Sequence, residues 1–401
     1  MKLALCLEYP IEERGGVCVL VETLLRELVR QGHEMVLVSP DTPDSLRVSE
    51  AGRLVREHIR WQPLPRPTMA NARRLARQLA DARVDLAHFH FGGNYGWGNR
   101  FPFHCPVIFL ARFGVPCVST VHLAVSLTHG YSDPRWPLWY KLLRLPLAWW
   151  GKMQQLRHVR REIAVSQHDY QHLRRWYRPL KRRFVQVYHS RLAQSEMPAG
   201  TLGCASDGGA AAPPCPREKI ILSAGHVARR KGQPVLAEAF ARIARRYPDW
   251  KLCIAGPVIE PECRQEIEAA GAKCSRSGQI SLLGHRDDAA QLMSRAAIFV
   301  QPSYFEGLPL ALQEALYYGC ACVATRIPGN VELIEHESNG LLVPLGDSEE
   351  LSRALERLLQ DGDLQARLAA KGRSSILKKE MTAPQMTRKH LDLYAAVLAK
   401  G

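Results

Sequence analysis

The chain of 401 residues has no run of about 18 uninterrupted apolar residues, so no segment is read as a membrane-spanning helix. Its opening, Met1-Lys-Leu-Ala-Leu-Cys-Leu7, starts like a secretion signal, but Glu8 ends the apolar run before an h-region of about 7–15 residues can form. That segment is read as a buried first strand. No C-x-x-C pair occurs among the 11 cysteines, and their number is odd, which excludes a disulfide framework and a zinc site of that spacing. They read as reduced, small hydrophobes, which implies a reducing, cytoplasmic compartment. No Asp-x-Asp stands in a loop after a strand, so no catalytic metal is expected, and no cofactor. Asp287-Asp288 are adjacent and read as a cap of the following helix.

Apolar content of 46% in a chain this long predicts two cores, because single cores stop growing near about 250–300 residues. Short apolar runs at residues 3–7, 34–38, 84–90, 117–121, 161–165 and 184–187 alternate with helical patterns such as 17–31 and 69–82. The scheme repeats at 220–224, 250–255, 280–283, 297–300, 320–324 and 340–343. Such alternation predicts α/β architecture with two doubly wound, Rossmann-like parallel sheets. The expected domains are residues 1–197 and 218–381, joined by a Gly/Ala/Pro-rich linker or loop at 198–217, with a C-terminal helix in 382–401.

Charge is unevenly spread. Residues 1–200 hold 29 Lys and Arg against 16 Asp and Glu, whereas the remainder holds 25 against 23. Residues 135–183 alone carry 13 basic and two acidic side chains, interleaved with Trp136, Trp139, Trp149, Trp150 and Trp176. Cations beside indoles suit an anionic membrane surface or a lipid-linked acceptor. Nucleic acid offers the same charge, but no recognised nucleic-acid motif accompanies it, and a solvated basic face is the plain alternative.

The segment most informative about function is Glu306-Gly-Leu-Pro-Leu-Ala-Leu-Gln-Glu314, two carboxylates eight positions apart where an apolar run passes into a helical pattern. On a continuous helix that step separates the side chains by about 80° and about 12 Å. A helix mouth presents unpaired N–H groups and a positive dipole end, which suit a diphosphate. A sugar nucleotide, with hydroxyls at both ends and phosphate between, fits that arrangement.

The longer string Gln301-Pro-Ser-Tyr-Phe-Glu-Gly-Leu-Pro-Leu-Ala-Leu-Gln-Glu-Ala-Leu316, with Gly319, the strand at 320–324, Gly329 and Asn339-Gly340, resembles the donor-site signature of the family 4 retaining glycosyltransferases of the GT-B fold. The resemblance is specific over about residues 219–362. It is looser in the N-terminal half, through Gly15-Gly16 and Thr120-Val-His122. It implies two Rossmann-like domains facing an interdomain cleft, with the last helix packed back on the N-terminal domain. It also implies metal-independent, front-face transfer of a hexosyl-type sugar from a UDP-, GDP- or ADP-linked donor to a glycan or lipid-linked acceptor. Glu306 would contact the donor sugar, and Gly307, Leu308, Pro309 and Leu310 would line sugar and phosphate. Glu314 would accept the ribose hydroxyls, and His122 would reach the transferred sugar.

Gly225-His-Val-Ala-Arg-Arg-Lys-Gly232 resembles the family's Gly-Arg-x-x-x-x-Lys-Gly element, whose Arg and Lys grip the diphosphate. Lys231 matches the lysine, but His226 stands where the family has arginine. An imidazole is not a fixed guanidinium charge, so Arg229 or Arg230 is the expected substitute. Glycines at 15 and 16 would let the backbone approach phosphate. Tyr188-His-Ser-Arg191 replaces a common Asn-Gly-Val-Asp. The expected catalytic residues are Glu306, Lys231 and His122; the expected donor-binding set is Gly15, Gly16, His226, Arg230, Lys231, Glu306–Leu310 and Glu314. Polysaccharide or glycolipid synthesis by a cytoplasmic protein peripheral to the inner membrane face is the expected setting, with no nucleic-acid partner. A non-catalytic or partner-dependent sugar-nucleotide-binding protein is the alternative.

Overall fold

The computed structural model describes residues 1–11, 15–61, 68–93, 96–98, 103–124, 138–192 and 217–399, without the side chains of residue 138 and residues 140–145. Of the expected linker at 198–217, residues 198–216 lie outside these residues, as do Trp136 and the side chains of Lys141 and Arg144. The chain divides into two compact units: Met1–Arg191 with Ala383–Gly401, and Leu192–Thr382.

In the first unit, strands β1 (Lys2–Leu7), β2 (Glu34–Ser39), β3 (Glu57–Arg60), β4 (Leu86–Phe91), β5 (Cys117–Val121), β6 (Arg161–Ala164) and β7 (Phe184–Gln186) form one sheet in the order 3-2-1-4-5-6-7. All pairings are parallel; Leu5 lies opposite Leu37 on one side and His88 on the other. In the second unit, β8 (Glu218–Ala224), β9 (Lys251–Ala255), β10 (Ile280–Gly284), β11 (Ala296–Gln301), β12 (Ala321–Thr325) and β13 (Leu341–Val343) follow the order 10-9-8-11-12-13, again parallel. Both sheets are doubly wound, as the strand–helix alternation predicts.

The reason lies in side-chain placement. Leu3, Ala4, Leu5, Cys6 and Leu7 are all at most 1% exposed, because helices cover both faces of a parallel sheet and leave no polar side to alternate with. Each fully buried Leu or Val contributes about 1.5–3 kcal/mol. Helix starts carry local signals: Thr68 Oγ1 accepts from Asn71 N at 3.2 Å, and Asp347 Oδ1 accepts from the N–H groups of Glu349 and Glu350. Asp288 stands at the N-cap of the helix Ala289–Arg295, but its side chain makes no capping hydrogen bond; Arg286 holds the carboxylate at 2.6 Å. The strand β3, missed in sequence, is a four-residue edge strand (Glu57-His-Ile-Arg60) with a single buried side chain, Ile59, too polar and short to stand out. The cysteines described in the structure are all free, and most are buried. Among the described residues no helix is long and apolar enough to cross a membrane.

Each sheet has one switch point where the strand order reverses, between β1 and β4 and between β8 and β11. Ligands of such sheets bind beyond the carboxyl ends of the strands at that point. In the second unit, the loops leaving these ends are residues 225–232 and 302–309.

Candidate functional site

Those two loops hold one another. Lys231 Nζ donates to Glu306 Oε1 at 2.6 Å, and Arg230 Nη1 lies 3.6 Å from Oε2. Ser303 Oγ donates to Oε1 at 2.8 Å and Gln301 Nε2 at 3.2 Å. The backbone joins in: Tyr304 N donates to Arg230 O at 2.8 Å, and Arg230 Nη1 to Phe305 O at 3.0 Å. Glu306 is only 10% exposed. Burial pushes its carboxyl up, but the Lys231 and Arg230 charges with the Lys231 and Ser303 hydrogen bonds outweigh that and leave it below the usual carboxylate range. Glu306 is therefore a preorganised anion, with cations already in place on one side.

Two glycines make the approach possible. Gly232 has φ +70°, and a Cβ there would sit 2.0 Å from Pro302 O; at Gly329 a Cβ would meet Glu306 O at 2.7 Å. From below, Thr325 Oγ1 donates to Ser303 O, and Asn330 Nδ2 donates to Thr325 O at 2.8 Å.

Glu306 is not on the helix. The helix runs Leu310–Tyr317, with Pro309 at its N-cap, so Glu306, Gly307 and Leu308 precede it and the helical step between the two carboxylates does not apply. Pro309 marks the start: its ring fixes φ, here −72°, and its ψ of 111° is extended, so the helix begins at the next residue. Glu314 lies inside that helix and is 4% exposed.

Of the two adjacent arginines, Arg229 points away: its guanidinium meets Glu266 at 2.6 Å, and its N–H donates to Glu260. Arg230 stays beside Glu306. His226 is half-buried, and its backbone carbonyl accepts from Gln233 Nε2 at 3.0 Å. Burial lowers its imidazole below the ordinary value, and Lys231, Arg230 and His285 lower it further.

In the first unit, Gly15 and Gly16 open the helix Gly16–Arg30. A Cβ at either would meet nothing within 4 Å, and Gly15 has an ordinary φ of −66°, so the fold itself does not demand glycine at these positions. His122 follows β5. Its Nε2 lies 3.1 Å from His90 Nδ1, and its ring lies 5.1 Å from that of His189. Burial and His390 hold its imidazole down at about 3, so it is neutral at physiological pH. The residues missed in sequence are Gln301, Ser303, His90 and His189. The first two stand inside the quoted signature, whereas nothing local marks His90, which lies on a buried strand. Among the described residues no cluster of three or more His, Cys, Asp or Glu could hold a metal ion.

The comparisons with known proteins bear on this arrangement. Residues 213–375 match the family model "Glycosyl transferases group 1", and residues 14–190 match "Glycosyltransferase Family 4". An uncharacterised glycosyltransferase of Haemophilus influenzae is 31% identical over 156 residues, 39% of this chain and 43% of that protein. The N,N'-diacetylbacillosaminyl-diphospho-undecaprenol alpha-1,3-N-acetylgalactosaminyltransferase of Campylobacter jejuni is 33% identical over 145 residues, 36% of each. The match thus spans less than half the length of these curated relatives. Among solved structures, Anabaena HepE in complex with UDP and glucose superposes with a TM-score of 0.72 at 15% identity, covering 99% of this chain and 100% of that one. The fold is GT-B. With a family model on each half, the chain belongs to the glycosyltransferases of family 4.

Proposed function

We propose that this protein transfers a sugar, with retention of anomeric configuration, from a nucleotide sugar to a glycan or lipid-linked acceptor of cell-surface polysaccharide or glycolipid. The observation that carries the reading is the Lys231–Glu306 pair at the switch point of the second sheet, where a buried carboxylate and two cations stand side by side. Glu306 suits the hydroxyls of the donor sugar. Lys231 and Arg230 suit the diphosphate, whose charge grows as the anomeric carbon–oxygen bond breaks. In front-face transfer the acceptor oxygen bonds to that carbon while the leaving phosphate oxygen takes the acceptor's proton. The chain thus supplies orientation and charge rather than a base.

Gly307 to Leu310 would line the sugar and phosphate with backbone groups, and Glu314 would hold the ribose. Gly15 and Gly16, with open space around them, suit a backbone that lies close to phosphate, and His122 would reach the sugar as a neutral donor or acceptor. No metal or cofactor is needed in this scheme. The lipid-linked acceptor draws support from the name of the Campylobacter relative. A cytoplasmic site on an anionic membrane face draws support from the basic first unit. Relatives named as transferases leave the non-catalytic alternative without favour.

The test is a thermal-shift panel of UDP, GDP, ADP and their sugar conjugates, followed by product analysis. Ligands of the folded state raise its apparent stability by mass action, about 2.7 kcal/mol at a hundred times Kd. A shift with one nucleotide, and a product of unchanged anomeric configuration, is the expected result; no shift with any of them overturns the reading.

A further inference from the structure

We propose that His226 makes donor binding proton-coupled: a bound sugar nucleotide draws a proton onto its imidazole. The inference rests on the reading of residues 225–232 as the diphosphate loop.

His226 leaves the carboxyl end of β8 at the sheet's switch point, in the loop that carries Lys231 and Arg230. Its ring is half-buried, and no side-chain partner engages it among the described residues; only its backbone carbonyl is bonded, by Gln233. The charged and titratable groups that act on the ring are Lys231 and Arg230 from its own loop and His285 from the loop after β10. The nearby carboxylates are engaged elsewhere: Glu306 with Lys231 and Arg230, Glu260 and Glu266 with Arg229, and Asp287 with His285 at 3.2 Å. Partial burial and the neighbouring cations both oppose a proton on His226, which agrees with the downward direction of its titration.

A bound diphosphate inverts the balance. Its two negative charges would pair with the same cations, and an opposite charge within about 4–6 Å favours the charged imidazole. The ligand therefore shifts His226 toward its protonated form. The family's arginine is charged throughout; the histidine acquires its charge only when the ligand arrives and releases it when the product leaves. Donor affinity should therefore weaken as pH rises from the lowered value of the unliganded imidazole to the raised value of the liganded one, by at most about tenfold per unit.

The experiment is calorimetric titration of the whole protein with UDP-glucose, UDP-N-acetylglucosamine, GDP-mannose and ADP-glucose, each in two buffers of different ionisation enthalpy. The diphosphate of a sugar nucleotide is a diester with no group titrating near neutrality, so any proton taken up belongs to the protein. Expected is net proton uptake on binding, measured at half-unit steps from pH 5.5 to 8, with Kd rising as pH rises through the range in which uptake is seen. His226→Arg should bind the same ligand with no uptake and a flat pH profile. His226→Gln should also lose the uptake and bind about tenfold more weakly than wild type at pH 6.5, while His285→Gln keeps the uptake. Binding by wild type without proton uptake, or uptake that survives in His226→Arg, overturns this inference and leaves the donor site standing. Failure of all four ligands to bind overturns the donor-site reading and this inference with it.

Discussion

At the residue scale, Lys231 and Glu306 illustrate how a buried ion pair differs from the surface pairs that dominate this chain. The Arg229–Glu266 pair is more than 40% exposed on both sides, where water screens it and little stability depends on it. Lys231 and Glu306 are 18% and 10% exposed, so removing one strands the other. Lys231→Met should destabilise the second unit by about 1–3 kcal/mol, with Glu306→Gln in the same chain restoring much of the loss. A double-mutant cycle in urea measures this coupling, and additive effects would contradict it. Turnover should fall at least tenfold in Lys231→Met and in Glu306→Ala, the loss of one charge-assisted hydrogen bond of about 1.5–3 kcal/mol. Arg229→Ala, whose side chain is turned toward Glu266, should stay within threefold of wild type.

At the element scale, the C-terminal helix Ala383–Leu398 is held to the first unit by an aromatic cluster. Tyr394 Oη lies 2.6 Å from His88 Nδ1, and His88 Nε2 lies 2.7 Å from Thr120 Oγ1. Around them stack His90, His122, His189 and His390, with ring centroids 4.1–5.6 Å apart. His90 Nε2, both ring nitrogens of His189 and His390 Nε2 have no partner among the described residues. Burial pushes all five imidazoles down, His390 to about 4 and His122 to about 3. The unfolded chain takes up protons below about pH 6.5 while the folded one does not, so stability falls with pH. Each histidine removes about 1.4 kcal/mol per pH unit until its folded value is reached. Unfolding midpoints should drop steeply between pH 6.5 and 4. His390→Leu should flatten that slope, because it removes a group that can only be protonated in the unfolded state. Tyr394→Phe should cost about 1–3 kcal/mol at pH 7.5 by leaving His88 Nδ1 unpaired. A midpoint independent of pH over this range would contradict the account.

At the scale of the whole molecule, the excess charge belongs to the first unit, and the structure shows which part of it faces solvent. Arg157, Arg160, Arg174, Arg175, Arg178, Lys181 and Arg182 are exposed, and Trp139, Trp150 and Trp176 are 67%, 44% and 36% exposed. Lys152 is not part of that face, contrary to what its place in the basic segment suggests. It is fully buried, donating to Glu162 at 2.8 Å and lying 4.9 Å over the Phe91 ring, with Gln155 and Ser119 on the same carboxylate. Docking on anionic lipid predicts co-sedimentation with vesicles containing phosphatidylserine, lost at high salt and weak with neutral lipid. At about 1 kcal/mol per basic residue near the surface, Arg174→Glu, Arg175→Glu and Arg178→Glu together should weaken attachment at least a hundredfold while the thermal midpoint holds. Lys152→Glu should instead unfold the unit, since it would bury two unpaired carboxylates. Equal binding to neutral and anionic vesicles would leave the arginines as a solvated face.

The sequence by itself determined the class of architecture and the identity of one loop. Strand–helix alternation is a local pattern, set within a few residues by which side chains must be buried, so two parallel sheets follow from it. The signature from Gln301 to Leu316 is contiguous and is legible for the same reason. What only the tertiary structure decided are the encounters between distant residues: Lys231 with Glu306, 75 positions apart, and His88 with Tyr394, 306 apart. Whether Arg229 or Arg230 faces Glu306, and whether Lys152 meets solvent or Glu162, depends on which loop and which strand lie alongside. Strand order and register settle that, and strands buried on both faces lack the alternation that would pin a register. The helical spacing of Glu306 and Glu314 failed because Pro309 starts the helix four residues later than the pattern suggests. That left Glu306 free to turn toward the β8 loop, where its charge meets Lys231.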